Sequence, residues 1–215
     1  MTNNLFETQY DLTKKSKIKI FYESNKILIY SSIVLLILFF GSFSYYADSK
    51  EKKKILLSED YVKAKIYLAK EKKDEALDIL KNVVLANDPS YSTLSLFLIL
   101  NRNLINDREE VLNLFDHLLT NNKFDKEIRH LLLYKKALYN SNHLNEPELL
   151  EEVKPLLEEN SLWRAHTLLL LGDYFVSKKE NLKAKDFYTQ VLSIKNLEKG
   201  LYDKAISQLK LINYD

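Results

Sequence analysis

The segment from Ile27 to Ala47, ILIYSSIVLLILFFGSFSYYA, passes through 21 positions without a charged residue. At about 1.5 Å of rise per residue, a helix of that length spans roughly 30 Å, the hydrocarbon thickness of a bilayer. Lys26 precedes the run and Lys50, Lys52, Lys53 and Lys54 follow it. Tyr30 and the Tyr45-Tyr46 pair stand near its ends, where aromatic rings favour the headgroup region. The pattern predicts a retained membrane anchor over 27–47, a tail over 1–26 and a separate domain over 48–215. Two other readings fit less well. A buried core helix rarely carries so long a charge-free run between lysine clusters. A cleaved signal peptide would use Ser42 and Ser44 as its small residues, but a charged lead 26 residues long exceeds what one usually carries.

Charge bias does not orient the anchor. Lys14, Lys15, Lys17, Lys19 and Lys26 lie before it, and four lysines lie between 50 and 54 after it. The rule also weakens for long translocated domains. Within the tail, lysines interleave with Ile18, Ile20 and Phe21. That stretch suits either an interfacial helix on an anionic leaflet or a solvated lead-in.

The remainder is helical by composition. Three glycines and three prolines in 215 residues leave few turn dipeptides. The 32 basic and 30 acidic residues give a net charge of +2, without the basic excess of a nucleic-acid binder. No cysteine is present. Disulfides, thiolate nucleophiles, Cys-based zinc sites and lipidated cysteines are thereby excluded.

An internal repeat organises residues after about 50. EALDILKNVV, EVLNLFDHLL, ELLEEVKPLL and KAKDFYTQVL share one apolar signature. Their second residues are Ala76, Val111, Leu149 and Ala184, separated by 35, 38 and 35 positions. Four residues on come Leu80, Phe115, Val153 and Tyr188; three further on come Val83, Leu118, Leu156 and Val191. These spacings put each set on one helix face. Twelve positions before the second residues lie Ala64, Ile99, Ala137 and Gly172, three of them small. Each unit therefore reads as two helices that cross at a small residue. Gly172 costs its helix about 1 kcal/mol relative to alanine. It is predicted to allow close approach of the next helix, with Ala184 packing there, rather than to act as a C-cap. Pro155 is predicted to bend or shorten its helix. Asp88-Pro89 and Glu146-Pro147 read as helix starts, and Ser161 reads as an N-cap with Trp163 as a packing anchor behind it. Helices are expected at 26–70, 73–86, 90–103, 107–121, 125–141, 146–158, 161–178, 181–194 and 198–212. The first, lacking Gly and Pro over 50–70, should run from the anchor into the first repeat without a joint and hold the domain close to the membrane. The last should close the stack with Leu201, Ala205, Ile206 and Leu209 inward.

The pattern resembles the tetratricopeptide repeat, a helix pair of about 34 residues. The match is best at Leu171-Gly172, Phe175, Ala184, Tyr188 and Val191, and again at Ala64, Tyr67, Ala76 and Leu80. Ile99 and Arg102 depart from it in the second unit and Leu149 in the third. The fold class expected is all-α: one transmembrane helix, then a tetratricopeptide-like solenoid of about four helix pairs with a closing C-terminal helix.

The whole layout, carried by DLTKKSKIKIFYESNKILIYSSIVLLILFF, NDPSYSTLSLFLI and SLWRAHTLLLLGDYFVSKKENLKAKDFYTQVL, resembles the YfgM-type ancillary SecYEG translocon subunits of Gram-negative bacteria. The resemblance implies an inner-membrane protein with a cytoplasmic tail and periplasmic repeats. It also implies association with the translocon and with a PpiD-type periplasmic chaperone.

No catalytic constellation accompanies this. The glycines cannot form a phosphate loop, and no nucleophile elbow occurs. His117, His130, His143 and His166 form no i, i+4 pair or HExxH frame. No cofactor, metal or small-molecule substrate is expected. Function should rest on surfaces. Tyr61, Lys65, Phe97, Tyr134, Lys135, His166 and Asp173 lie on the first helices, away from the packing positions Ala64, Ala76, Ala137, Gly172, Ala184 and Tyr188, and are the partner-binding candidates. Ser31, Ser32, Gly41, Ser42 and Ser44 would allow close helix contact in the bilayer. A tethered adaptor for division or outer-membrane assembly, a secreted repeat protein and an enzyme with an unusual site are the alternatives.

Overall fold

A computed structural model describes residues 17–214. The N-terminal stretch with Lys14 and Lys15 lies outside the described residues. Among these, the chain is all-helical. The helices are α1 (Lys17–Ala69), α2 (Lys73–Leu85), α3 (Pro89–Asn101), α4 (Arg108–Asn121), α5 (Lys126–Asn140), α6 (Glu146–Val153), α7 (Arg164–Ser177), α8 (Asn181–Leu192) and α9 (Lys199–Tyr214), with a 3-10 turn over Lys154–Leu157. The chain divides into one unit ending at Leu56 and a second beginning at Leu57.

In the first unit, α1 begins at Lys17, nine residues before the expected start, so the second half of the lysine-rich lead is helical. The sequence has neither glycine nor proline over 50–70, and α1 ends at Ala69. Leu35, Phe39 and Phe40 are 66%, 65% and 65% exposed, and no part of the apolar window is buried. A soluble core helix would hide such side chains. By length and composition the segment can cross a membrane.

In the second unit α2 to α6 pack each on the next in chain order, the 3-10 turn joins α6 to α7, α8 packs on both α7 and α9, and α2 with α4 and α7 with α9 also touch. The sixteen positions that define the repeat are all buried: the Ala64, Ala76, Leu80 and Val83 sets in all four rows. Arg102 is exposed instead of packing as Tyr67 and Phe175 do, while Asn140 is buried and accepts from Arg108 Nη1 at 2.7 Å. The core forms two clusters. One joins α1 to α5 through Leu132; the other joins α5, from Ala137, to α9. In α9, Leu201, Ala205 and Leu209 pack inward.

Local chemistry sets the ends. Asp88 caps α3, accepting from the amides of Ser90 and Tyr91 at 3.0 and 2.8 Å, with Pro89 at the first helical position. Asn145 and Glu148 form a reciprocal capping box on α6. Pro155 ends that helix at Val153, and the 3-10 turn still delivers Leu156 to the core. Ser161 does not cap α7. Its Oγ accepts from the Trp163 amide at 3.3 Å and starts the turn before the helix, which opens at Arg164.

Helices α1, α3 and α7 end in the same motif. The amides of Lys72, Leu104 and Glu180 reach back to the carbonyls of Tyr67, Ile99 and Phe175, at 3.0, 3.1 and 2.9 Å. The residues before them, Glu71, Asn103 and Lys179, have φ of 58°, 48° and 62°. This left-handed position usually takes glycine. Here non-glycine residues fill it, and the chain turns from first to second helix without a glycine.

Gly172 lies inside α7 and has no positive φ. A Cβ there would stand 2.7 Å from Cδ1 and Cζ of Tyr188 and closer still to Cε1. The ring that needs the glycine thus belongs to Tyr188, one helical turn beyond Ala184. The Tyr188 hydroxyl donates to Asp173 Oδ1 at 2.7 Å, and Asp173 Oδ2 accepts from Lys204 Nζ at 3.1 Å. Burial, reinforced by the Asp173 carboxylate, raises the phenol far above its ordinary value and keeps the donor protonated. One ring therefore links α7, α8 and α9.

Two substitutions should act with opposite signs. Gly172→Ala should destabilise by about 1–3 kcal/mol through overpacking, despite a gain of about 1 kcal/mol in helix propensity. Tyr188→Leu in the same chain should recover part of the loss. Lys179→Gly, which relieves the left-handed side chain, should stabilise by about 1 kcal/mol. Thermal unfolding of the three variants beside the parent measures each effect.

Candidate protein-binding surface

The seven candidate residues all sit on first helices: Tyr61 and Lys65 on α1, Phe97 on α3, Tyr134 and Lys135 on α5, His166 and Asp173 on α7. They fall into three groups. Tyr61 leans on Tyr91 with ring centroids 6.2 Å apart, and Lys65 Nζ stands 5.9 Å from the Tyr61 ring. Phe97 and Lys135 line one groove. Tyr134 and His166 meet across α5 and α7, with Asp173 close enough for its charge to act on the Tyr134 phenol.

The third group is built around Trp163. Its indole stacks on Tyr134 at 5.5 Å and lies 5.3 Å from His166. Its Nε1 donates to the Glu127 carbonyl at 3.2 Å. His130, buried, meets Ser161 Oγ at 3.2 Å, and Lys126 reaches Glu158 at 3.0 Å. These contacts brace α5 against the turn that leads into α7. Tyr134 is raised by burial and then by Asp173. His166 is lowered by burial, with Glu198 opposing and Lys204 adding to the shift. Both carboxylate oxygens of Asp173 are engaged within the unit, so its polar atoms serve the α7–α8–α9 seam.

The Phe97 group is the open one. A groove of about 420 Å³ lies between the N-terminal halves of α3 and α5, lined by Leu94, Phe97, Ile128 and Leu131 together with Lys123 and Phe124. A second stretch of about 250 Å³ continues between their C-terminal halves, lined by Phe97, Leu100, Leu138, Tyr139 and Lys135. Phe97 belongs to both. Leu94, Ile128 and Leu138 are 45%, 41% and 43% exposed. Most of the wall is helix face, which offers side-chain contact, and Lys123, Phe124 and Asp125 come from the connection between α4 and α5. Sequence reading found Phe97 and Lys135 from their faces. It missed Leu94, Ile128 and Leu138, whose apolar character reads equally as core.

Lys136, next to Lys135, is used differently. Its Nζ lies 2.6 Å from Asp116 Oδ1 on α4 and 3.8 Å from Glu152 Oε1 on α6. Burial raises the Glu152 carboxyl and Lys136 opposes that shift. Among the described residues no cluster of three His, Asp or Glu side chains could hold a metal ion. His117 pairs with Asn87 and Asn121 instead.

Comparison with protein-family models, curated proteins and solved structures finds no match for this chain.

Two measurements test these electrostatics. Lys136→Ala should destabilise by about 1.5–3 kcal/mol, because it strands a half-buried carboxylate, and chemical denaturation would show it. For His166 the folded chain favours the neutral ring, while the unfolded ring titrates near 6.5. Its stabilising share is full above that value and is lost as pH falls through the lower folded-state value. Between about pH 7.5 and about pH 5.5 the parent should lose unfolding temperature relative to His166→Gln. Glu152, raised, acts with opposite sign at lower pH.

Proposed function

We propose that this chain is a non-catalytic, membrane-tethered scaffold that works beside the SecYEG translocon and contacts periplasmic chaperones during protein export. The observation that carries the reading is the pairing of an exposed apolar span with a helical unit whose first helices hold an open apolar groove. The burial of all sixteen repeat positions supports a tetratricopeptide-like stack, in which each helix pair covers the apolar face of the next. Inner-membrane insertion with the N-terminus cytoplasmic and the repeats periplasmic follows the resemblance to YfgM-type subunits. A PpiD-type chaperone is the expected soluble-side partner. A tethered adaptor for division or outer-membrane assembly would use the same fold physics, and no observation favours it.

The test is made in intact membranes. The full-length chain should fractionate with the inner membrane at its uncleaved mass. A reporter fused after Asp215 should be active only in the periplasm. Crosslinking followed by partner identification should return translocon and chaperone components. Division or assembly proteins in their place would replace the reading, and recovery of a shortened, soluble chain would remove the tether.

A further inference from the structure

The groove between α3 and α5 carries a charge pattern that specifies its occupant. Its floor is apolar, and Lys123 lines the stretch by the helix N-termini while Lys135 lines the stretch by the C-termini. Neither lysine has a carboxylate partner among the described residues. That differs from Lys81, Lys126, Lys136, Lys183 and Lys204, which are paired with Glu110, Glu158, Asp116, Glu146 and Asp173. Lys135 is also half-buried, where an unpaired ammonium costs more than on an open surface. Asp125 is the one carboxylate in the lining.

We propose that this groove binds an amphipathic helix of a partner protein, with apolar anchors at i, i+3 or i+4 and i+7 and acidic residues at both ends. The proposal deepens the scaffold reading and rests on it for the kind of partner. Three features lead to a helix rather than an extended strand. Apart from the α4–α5 connection at one end, the walls are helices whose backbone is already paired, so a strand would gain few main-chain hydrogen bonds, whereas a helix satisfies its own. The α3 wall, 13 residues long, gives the groove a length of about 20 Å, which suits some three turns of helix. The apolar lining residues recur with helical spacing on each wall: exposed Leu94 and half-buried Phe97 on α3, exposed Ile128 and Leu138 and half-buried Leu131 on α5. Those rows form ridges into which a third helix can interdigitate. Acidic ends would place carboxylates against Lys123 and Lys135 and supply the counter-charges the unit itself withholds.

The experiment uses the full chain in lipid nanodiscs and three labelled 16-residue peptides. One has Leu anchors at i, i+4 and i+7 with Glu at both ends. The second replaces the Glu residues by Lys. The third scrambles the first. Fluorescence anisotropy should show binding of the acidic peptide, weaker at higher salt, and at least about tenfold weaker binding of the other two. Lys123→Glu with Lys135→Glu should lower affinity for the acidic peptide by about tenfold and raise it for the basic one. Leu94→Glu and Leu138→Glu, at exposed sites that leave the fold intact by circular dichroism, should abolish binding of the acidic peptide. Equal binding of the acidic and basic peptides, or no effect of the lysine reversals, overturns the proposal. So does a chain that takes no peptide and instead self-associates, with crosslinkers at position 94 joining two copies. A failure here leaves the membrane crosslinking result untouched, since export components can be captured through other surfaces. Failure of that result, with the acidic peptide still bound, removes the translocon reading alone.

Discussion

Close approach between paired helices is the constraint on which the rest of the helical unit depends. A helix pair cannot cover its own apolar face, and a small side chain on the first helix lets the second come near enough to bury it. Ala64, Ala137 and Gly172 supply that in three of the four pairs. At Gly172 the requirement is strictest, because an aromatic ring occupies the space a methyl group would need. The same ring then carries a hydroxyl into a chain of polar contacts that ends on α9. A backbone choice in α7 thus fixes where the closing helix docks.

Much of this was legible in the residues. Spacings of four and three marked the buried faces, and Asp-Pro and Glu-Pro marked the starts of α3 and α6, because those signals are local. The apolar span was legible for the same reason. Other features were not. The start of α1 at Lys17 was missed because lysines, isoleucine and phenylalanine suit a lead-in as well as a helix. Trp163 hides the true start of α7, since Ser161 has the right chemistry for a cap but serves the preceding turn. The atoms nearest Gly172 belong to the Tyr188 ring, one turn beyond the Ala184 that the spacing points to. Sequence spacing gives the face of a helix and not the direction its long side chains take.

The candidate surface was legible only in part. Phe97 and Lys135 stood out by lying on first helices away from the packing positions. That they share a groove depends on the separation of α3 and α5, a long-range quantity. Leu94, Ile128 and Leu138 carried no signal of exposure, because an apolar residue with helical spacing is ordinarily core. The comparison of Lys135 with Lys136 makes the point at one position's remove. Lys136 bridges three helices and Lys135 faces the groove unpaired, yet the letters are identical.

The turns between helices suggest how the sequence manages with so few glycines. Glu71, Asn103 and Lys179 hold the left-handed position that ends α1, α3 and α7. Each carries local strain in the native chain, but each also restricts the disordered chain more than glycine would. The division of the apolar interior along α5 has a further consequence. Leu132 belongs to one cluster and Ala137 to the other, so a single helix is the shared wall of two apolar clusters inside one compact unit. Amide exchange in such an arrangement should sort into two protection classes that meet within α5, and a partner gripping that helix would slow opening on both sides at once.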